Sequence, residues 1–254
     1  MNQQFKKQYL IALGFIFIFC LSVSVSAVDA QMSHKEMLQK ADEARGNAEG
    51  IQWEISMDSI EGGREENRKM RVIARGYDCL VDTLTPANLK GQKLLMQDRN
   101  MWFAKPGLSK PVPISPRQKL MGSAANGDIA STNYADDYKI IHTEEGKVKD
   151  ESCIILELQA VDNRATYDRI KYWVSKERLV GLKAEFYTVS GKMFKTAVFE
   201  YKNSITIKEN PREFISKMII TSAIVKEDVT VINYKKPVLK KVSDSTFNLN
   251  LLTK

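Results

Sequence analysis

The chain has 254 residues, of which 43% are hydrophobic and 27% are charged, and its formal net charge is +7. This length can bury one sizeable core. Basic residues are interleaved along the chain without a basic tract, which argues against a nucleic-acid-binding protein. Modest basicity of this kind fits either a solvated surface or contact with anionic head groups or acidic partners.

The N-terminal segment has the three parts of a cleavable secretion signal. The first seven residues contain two lysines and no acid, and an almost unbroken apolar run follows over residues 9–25. Small residues then precede two candidate cleavage sites, after Ala27 and after Ala30. The alternative is an uncleaved anchor, which needs about 20 apolar residues, whereas this run thins into serines. The sequence therefore predicts a signal peptide over 1–30, a single mature domain over 31–254 and export from the cytoplasm.

The mature chain begins with a short helix and continues mostly as strands. Ser33 is a candidate N-cap with Glu36 as its capping-box partner, and this helix ends near Gly46. Strict alternation of apolar and polar residues over 51–58 predicts a half-buried strand. Further strands are predicted over 69–84, 91–97, 100–104, 152–158, 170–174, 179–189, 192–201, 205–208, 219–225 and 229–233.

Two other segments complete the predicted elements. A second short helix is predicted over 118–125, and residues 129–138 are predicted to be irregular. A proline-rich stretch over 106–116 is typical of a surface loop. Because many strands follow one another without intervening helices, the pattern favours a mainly β fold, an antiparallel meander that is closed or partly closed.

Catalytic and metal-binding motifs are missing from the sequence. His34 and His142 lack metal-ligand spacing, and no nucleophile elbow, zinc-protease motif or phosphate-binding glycine loop occurs. The adjacent acids Asp136 and Asp137 are interpreted as solvated loop residues. The sequence therefore gives no reason to propose an enzyme, a metal site or a cofactor.

Two cysteines remain after removal of the signal, Cys79 and Cys153. In an oxidising compartment they could form one disulfide bond. Both lie in apolar, strand-like stretches, where buried thiols are equally consistent with the pattern.

Large apolar residues share one face of several predicted strands. They are Ile51, Trp53, Ile55 and Met57 on the first strand, Leu182, Ala184 and Phe186 on a later one, and Met193, Ala197 and Phe199 on the next. Such faces can fill a solid core, which composition alone favours, or line an apolar cavity for a ligand.

Several motifs follow one another between Trp53 and Tyr201: the hairpin of 91–95 and 100–106, the segments 111–115 and 118–123, the pairs Asp128-Ile129 and Asp137-Tyr138, and the strands 172–176 and 182–187. Together they resemble the motifs of outer membrane lipoprotein-sorting proteins, the LolA-like family. The run Met-Trp-Phe with a proline after it, followed by Gln-x-x-Met-Gly-Ser, is the most distinctive part. The surplus length of this chain lies largely after Tyr201.

The resemblance implies an incomplete antiparallel β-barrel, a half-barrel around an apolar cavity, with short helices as a plug or lid. It also implies a periplasmic carrier of lipid or lipoprotein acyl chains that works toward the outer membrane. An inner-membrane RND-type transporter and an outer-membrane acceptor are the implied partners. A sensing or interaction module of the same fold is the alternative. The implied cavity lining is Trp53, Ile55, Met57, Leu94, Met96, Trp102, Phe186, Met193 and Phe199.

Overall fold

Strands make up most of the part of the chain that the structure, a computed structural model, describes: residues 32–130, 132–207 and 209–253. The predicted signal peptide and both cleavage sites lie outside these residues. Residues Met32–Lys254 form one compact unit. The first helix, α1 (His34–Glu43), has the predicted capping box, in which the Glu36 amide donates to Ser33 Oγ and the Ser33 amide donates to Glu36 Oε2.

The strands and the second helix follow in chain order. They are β1 (Ile51–Glu61), β2 (Arg64–Arg75), β3 (Asp78–Thr85), β4 (Lys93–Gln97), β5 (Asn100–Ala104), β6 (Val112–Ile114), β7 (Lys119–Met121), β8 (Ala124–Ala125), α2 (Tyr134–Asp137), β9 (Tyr138–Val148), β10 (Glu151–Ala160), β11 (Arg169–Ser175), β12 (Gly181–Tyr187), β13 (Met193–Glu200), β14 (Asn203–Ile207), β15 (Asn210–Phe214), β16 (Lys217–Ser222) and β17 (Val229–Leu239). Four short 3₁₀ turns lie at Ala87–Leu89, Asn126–Asp128, Asp244–Phe247 and Leu249–Leu251.

Thirteen of these strands form one antiparallel sheet, which confirms the prediction of a mainly β, antiparallel fold. Their order is β6, β5, β4, β3, β2, β1, β17, β16, β13, β12, β11, β10, β9. The sheet is not closed, because β6 and β9 are its two edges. Pro113 lies on the edge strand β6, where a missing N–H costs no ladder hydrogen bond. The pairs β14–β15 and β7–β8 form two small separate sheets.

One face of the large sheet, called the inner face here, packs on both helices. Its apolar cluster includes residues from strands near both edges, such as Leu94 on β4 and Leu156 on β10, together with Leu38 of α1. The β14–β15 hairpin packs on the same cluster, and the Phe214 ring meets the Trp53 ring edge-on at 5.8 Å between centroids. Burial of this face provides the main favourable contribution to folding.

The opposite, outer face carries a second apolar cluster, which the C-terminal segment covers. Val242, Phe247 and Leu252 pack on Leu95 and Ala104. Polar contacts hold the segment in place: the guanidinium of Arg75 lies 2.7 Å from Asp244 and 5.3 Å from the centre of the Phe247 ring, and Lys93 donates to the Leu252 carbonyl at 3.2 Å.

Four predicted elements are wrong, and the first is the surface loop predicted over 106–116, which contains the edge strand β6. The single strand predicted over 69–84 is the hairpin of β2 and β3, because Gly76, with φ +56°, reverses the chain. The helix predicted over 118–125 is the β7–β8 pair, in which Gly122 has φ +53° and a Cβ there would lie 2.3 Å from the Thr230 hydroxyl. The segment 129–138, predicted to be irregular, contains α2.

Phe247→Ala should lower the free energy of unfolding by about 3–5 kcal/mol, because the ring is almost fully buried and its removal leaves a cavity. Leu251→Ala, in the same segment but 41% exposed, should cost less than about 0.5 kcal/mol. Urea unfolding of both variants measures the difference. Equal losses would contradict docking of the C-terminal segment on the outer face.

Candidate functional site

The two helices meet over the inner face through one buried carboxylate. Leu38, Ala41 and Asp42 lie on the buried side of α1. Asp42 Oδ2 accepts a hydrogen bond of 2.8 Å from the backbone amide of Ala135 in α2. Burial raises the pKa of Asp42 well above its ordinary value, which the backbone donors only partly offset. This contact fixes α2 against α1.

Arg45, which follows α1, is buried among aromatic rings. The side chain lies 4.5 Å from the centroid of Phe199 and 5.3 Å from that of Tyr134, and the residue is only 4% exposed. Its Nη1 finds no hydrogen-bond acceptor among the described residues, and the Tyr172 and Tyr201 hydroxyls likewise lack a partner there. Unsatisfied buried polar groups are costly, so their concentration at one place marks a candidate functional site.

The backbone beside Arg45 requires glycine. Gly46 has φ +107°, and a Cβ at this position would lie 2.8 Å from Cη2 of Trp53. The chain therefore turns tightly against the inner-face indole, which directs Arg45 into the interior.

A narrow cleft lies beside Arg45 under α2. Its volume is about 30 Å³, which is room for about one water molecule. Met96, Tyr134, Tyr138 and Tyr167 contribute to its wall. Sites for drug-sized ligands occupy roughly 300–1,000 Å³, so in this conformation side chains leave no room for such a ligand in this cleft.

Polar contacts around Arg99, which we call the Arg99 clamp, form one wall of this cleft. The clamp consists of Tyr77, Arg99, Asp136 and Asp137. Arg99 Nε lies 2.8 Å from Asp137 Oδ1, and Nη2 donates to the Asp136 carbonyl at 3.1 Å and to the Tyr77 hydroxyl at 3.2 Å. The Tyr77 hydroxyl donates to Asp136 Oδ2 at 2.8 Å. The interpretation of the two acids as loop residues is wrong, because both lie on α2; Asp136 is solvent-exposed as predicted, whereas Asp137 is partly buried.

The structure brings together seven of the nine residues predicted to line a cavity. All seven belong to the inner-face cluster: Trp53, Ile55, Met57, Leu94, Met96, Phe186 and Phe199. Trp102 lies instead at the outer-face cluster, because alternation along β5 turns Met101 and Phe103 inward. Met193 is 37% exposed, since a register shift between β12 and β13 separates it from the inward-facing Lys195.

The sequence reasoning missed Asp42, Arg45 and Arg99. A signal was present for Asp42, which shares the apolar side of α1 with Leu38 and Ala41. Arg45 and Arg99 had no such signal, because their roles depend on rings and acids far away in the chain.

The two cysteines are buried, and no disulfide joins them. The Cys153 thiol donates to the Glu151 carbonyl at 3.4 Å, and Cys79 lies on β3 opposite Met96 of β4. Burial raises the pKa of the Cys153 thiol. Within the described residues, no cluster of His, Cys, Asp and Glu could hold a metal ion.

None of the helices in residues 32–130, 132–207 and 209–253 is both long and apolar enough to cross a membrane.

Comparison with known proteins agrees with this architecture, a helix-capped antiparallel sheet with an apolar inner face. A family model described as "Uncharacterized protein" matches residues 77–254. A LolA superfamily protein from Nitrosomonas europaea is 30% identical, with a TM-score of 0.75 over 85% of this chain and 98% of its own. The chain belongs to the LolA superfamily.

Two further solved structures share the fold at lower identity. A putative outer membrane lipoprotein-sorting protein domain from Vibrio parahaemolyticus is 20% identical, with a TM-score of 0.74 over 87% of this chain and 98% of its own. A DUF1329 family protein from Desulfovibrio piger is 22% identical, with a TM-score of 0.71 over 86% of this chain and 97% of its own. Among curated proteins, no sequence matches this chain.

The clamp contains a carboxyl group that titrates near neutral pH. Burial raises the pKa of Asp137 to about 6 from an ordinary value of 3.8, and Arg99 opposes this rise. Between these values the folded state retains a proton that the unfolded state has lost. The free energy of unfolding therefore falls as the pH rises through about 6.

Asp137→Asn removes this titration, so the wild type should lose stability relative to this variant as the pH is raised from 5 to 7. Urea unfolding at each pH measures the difference. Glu145→Gln is the control, because a hydrogen bond from Lys176 lowers the pKa of Glu145 below its ordinary value of 4.5 and Glu145 does not shift the pKa of Asp137, so its difference from the wild type should stay nearly constant over this range. A constant difference for Asp137→Asn as well would contradict the assignment.

Proposed function

We propose that this protein carries lipid or lipoprotein acyl chains in the apolar interior beneath α1 and α2, with the sheet curved around them as a half-barrel. One observation supports this most directly: part of the inner-face cluster is covered by a four-residue helix, α2, which packs on the cluster through two residues and is otherwise held by polar contacts. Only Tyr134 and Ala135 of α2 are buried. Water can replace partly exposed ion pairs at a cost of about 0.2–1 kcal/mol each. Displacement of α2 would therefore open the interior without unfolding the sheet.

The composition of the interior suits flexible apolar ligands. Burial of an acyl chain gains about 0.8 kcal/mol per CH₂ group and depends little on direction. Methionine side chains adapt to ligands of varied shape. The inner-face cluster contains seven of them: Met37, Met57, Met70, Met96, Met101, Met121 and Met218.

The cellular setting that we propose follows from the family and from the N-terminal sequence. The chain would act in the periplasm after loss of residues 1–30 and ferry its ligand toward the outer membrane. An RND-type transporter would be the inner-membrane donor, with an acceptor at the outer membrane. Membership of the LolA superfamily supports this setting, as does the fold shared with a putative lipoprotein-sorting domain.

Arg99→Gln should speed the uptake of a fluorescent fatty acid. The variant loses an ion pair and hydrogen bonds that hold α2 closed; a loss of about 1.4 kcal/mol would raise the open population about tenfold. Stopped-flow fluorescence with cis-parinaric acid measures the rate.

Arg178→Gln is the matched control for Arg99→Gln. Arg178 is also partly buried and ion-paired, at 2.9 Å from Glu213, but it lies outside the clamp. Uptake by this variant should equal that of the wild type. If both variants took up the probe at the wild-type rate, α2 would not be the gate.

Met96→Glu should abolish retention of the fatty acid, because it places a charge in the cleft beside Arg45, whereas Met96→Leu should retain it. Met193→Glu tests the other predicted methionine and should leave retention unchanged, since Met193 is a surface residue in the closed structure. Equilibrium dialysis measures binding, and circular dichroism checks the fold. A folded Met96→Glu variant that retains the probe would place the ligand elsewhere.

Lipid extraction and native mass spectrometry of the protein purified from its own cells test the proposal as a whole. We expect co-purifying acyl lipids or lipopeptides. A protein that is repeatedly empty, and that does not take up acyl probes, would favour the sensing or interaction module instead.

A further inference from the structure

A second cavity, which we call the rim cavity, lies at the end of the sheet where β12 and β13 are joined. Its volume is about 330 Å³, which is within the range of small-molecule sites. The β7–β8 pair forms one side, and the start of β13 with the residues before β11 forms the other. The cavity lies apart from the Arg99 clamp.

Three cations line the rim cavity: Arg117, Lys119 and Lys195. Each has a carboxylate partner, in Asp168, Glu61 and Asp128 respectively. Of these three acids, only Asp168 also lines the cavity. The cations thus face the cavity, while two of the three acids approach them from outside it.

Lys195 is the most unusual of these cations because it is buried. Its ammonium group donates to Asp128 Oδ2 and to the Ser123 carbonyl, each at 2.9 Å, and lies 4.5 Å from the centre of the Tyr167 ring. Side-chain exposure is 5% for Lys195 and 2% for Asp128. A buried ion pair is often no more stable than an apolar pair of the same size, so stability alone does not account for it.

Arg117 supplies the geometry that phosphate recognition requires. Its Nε donates to the Ala165 carbonyl at 2.8 Å and its Nη1 to Asp168 at 2.7 Å. Its Nη2 makes no hydrogen bond with the described residues. These contacts hold the guanidinium plane fixed, and a fixed guanidinium binds phosphate oxygens in a directed way.

The rim cavity adjoins the inner cleft. Thr166 and Tyr167 line both. The Tyr167 ring also packs on Phe186 of the inner-face cluster, with 4.1 Å between ring centroids. Phe194 and Tyr187 complete the apolar part of the rim cavity.

We propose that the rim cavity binds the phosphate head group of an anionic lipid whose acyl chains occupy the inner-face cluster. This inference rests on the proposed carrier function and narrows its ligand to phosphate-bearing amphiphiles. The cations contact the phosphate, while Tyr167 and Phe194 contact the glycerol and the first methylene groups.

Isothermal titration calorimetry with three defined probes tests this proposal: dihexanoylphosphatidylglycerol, dihexanoylglycerol and inorganic phosphate. We expect the phospholipid to bind at least tenfold more tightly than either of the others. Arg117→Gln should weaken phospholipid binding about tenfold and leave dihexanoylglycerol binding unchanged. Lys119→Gln, at a more exposed position, should act in the same direction.

Arg178→Gln and Lys236→Gln are the matched controls. Arg178 is as exposed as Arg117 and is also ion-paired, with Glu151 and Glu213, and Lys236 pairs with Glu54 on the surface as Lys119 pairs with Glu61. Both controls should bind the phospholipid like the wild type, and thermal melts check that all four variants fold.

The remaining outcomes separate the two proposals. Equal binding of both lipids, unaffected by Arg117→Gln, would overturn the head-group site and leave the carrier function standing. If inorganic phosphate bound as tightly as the phospholipid, the rim cavity would be a site for free phosphate, and the proposal of a lipid head group would be wrong. Binding of neither lipid would count against the carrier function itself.

Discussion

The structure depends on the burial of one large apolar face of an open sheet. A sheet of thirteen strands with two edges cannot cover its own inner face by closing into a barrel. The chain covers this face with short local segments: α1, α2 and the β14–β15 hairpin. Short segments bury little area each, so they depend on specific polar contacts to stay in position. Asp42 on the Ala135 amide and the Arg99 clamp are such contacts.

The buried polar groups beneath α1 and α2 lower the stability of the folded state, and a core made only of apolar side chains would avoid this loss. Arg45 is enclosed by Phe199 and the tyrosine rings, with one nitrogen unsatisfied, and an aliphatic side chain would fill the same space without that penalty. The ring faces attract the guanidinium, but cation–π contacts of this kind contribute about 1–2 kcal/mol. The observed conformation is therefore less stable than its packing suggests, which is what the proposed carrier would require in order to open.

Most of the strands could be predicted from the sequence because period-2 alternation records which face is buried. The same alternation located Trp53, Ile55 and Met57 on the inner face. It failed where the backbone departs from regular pairing. The register shift at the start of β13 turned Met193 outward, and the turn at Gly76 divided the single strand predicted over 69–84 into two strands.

The site itself was harder to predict, because its chemistry comes from contacts between distant segments. The Arg99 clamp joins the β4–β5 turn to α2, and the Lys195–Asp128 pair joins β13 to the 3₁₀ turn after β8. Lys195 lies at an inward-facing position of β13, two residues before Ala197 of the inner-face cluster, so the pattern of this strand contained a signal for it. Its acidic partner was not visible in the pattern, because Asp128 stood out only as part of a family motif, and nothing in the local sequence indicates that it pairs with a lysine 67 residues away.

The inner cleft and the rim cavity are physically connected through one short segment. Asp128 accepts a hydrogen bond of 2.6 Å from the Tyr167 hydroxyl and forms an ion pair with Lys195. A few residues further along the chain, α2 begins. Under the two proposals together, a displacement of α2 that also moved Asp128 would separate Lys195 from the carboxylate that neutralises it. A phosphate in the rim cavity would compensate Lys195 when Asp128 withdraws, which lowers the cost of the open state. Under the two proposals together, head-group binding and opening of the interior favour each other, because each replaces an interaction that the other breaks.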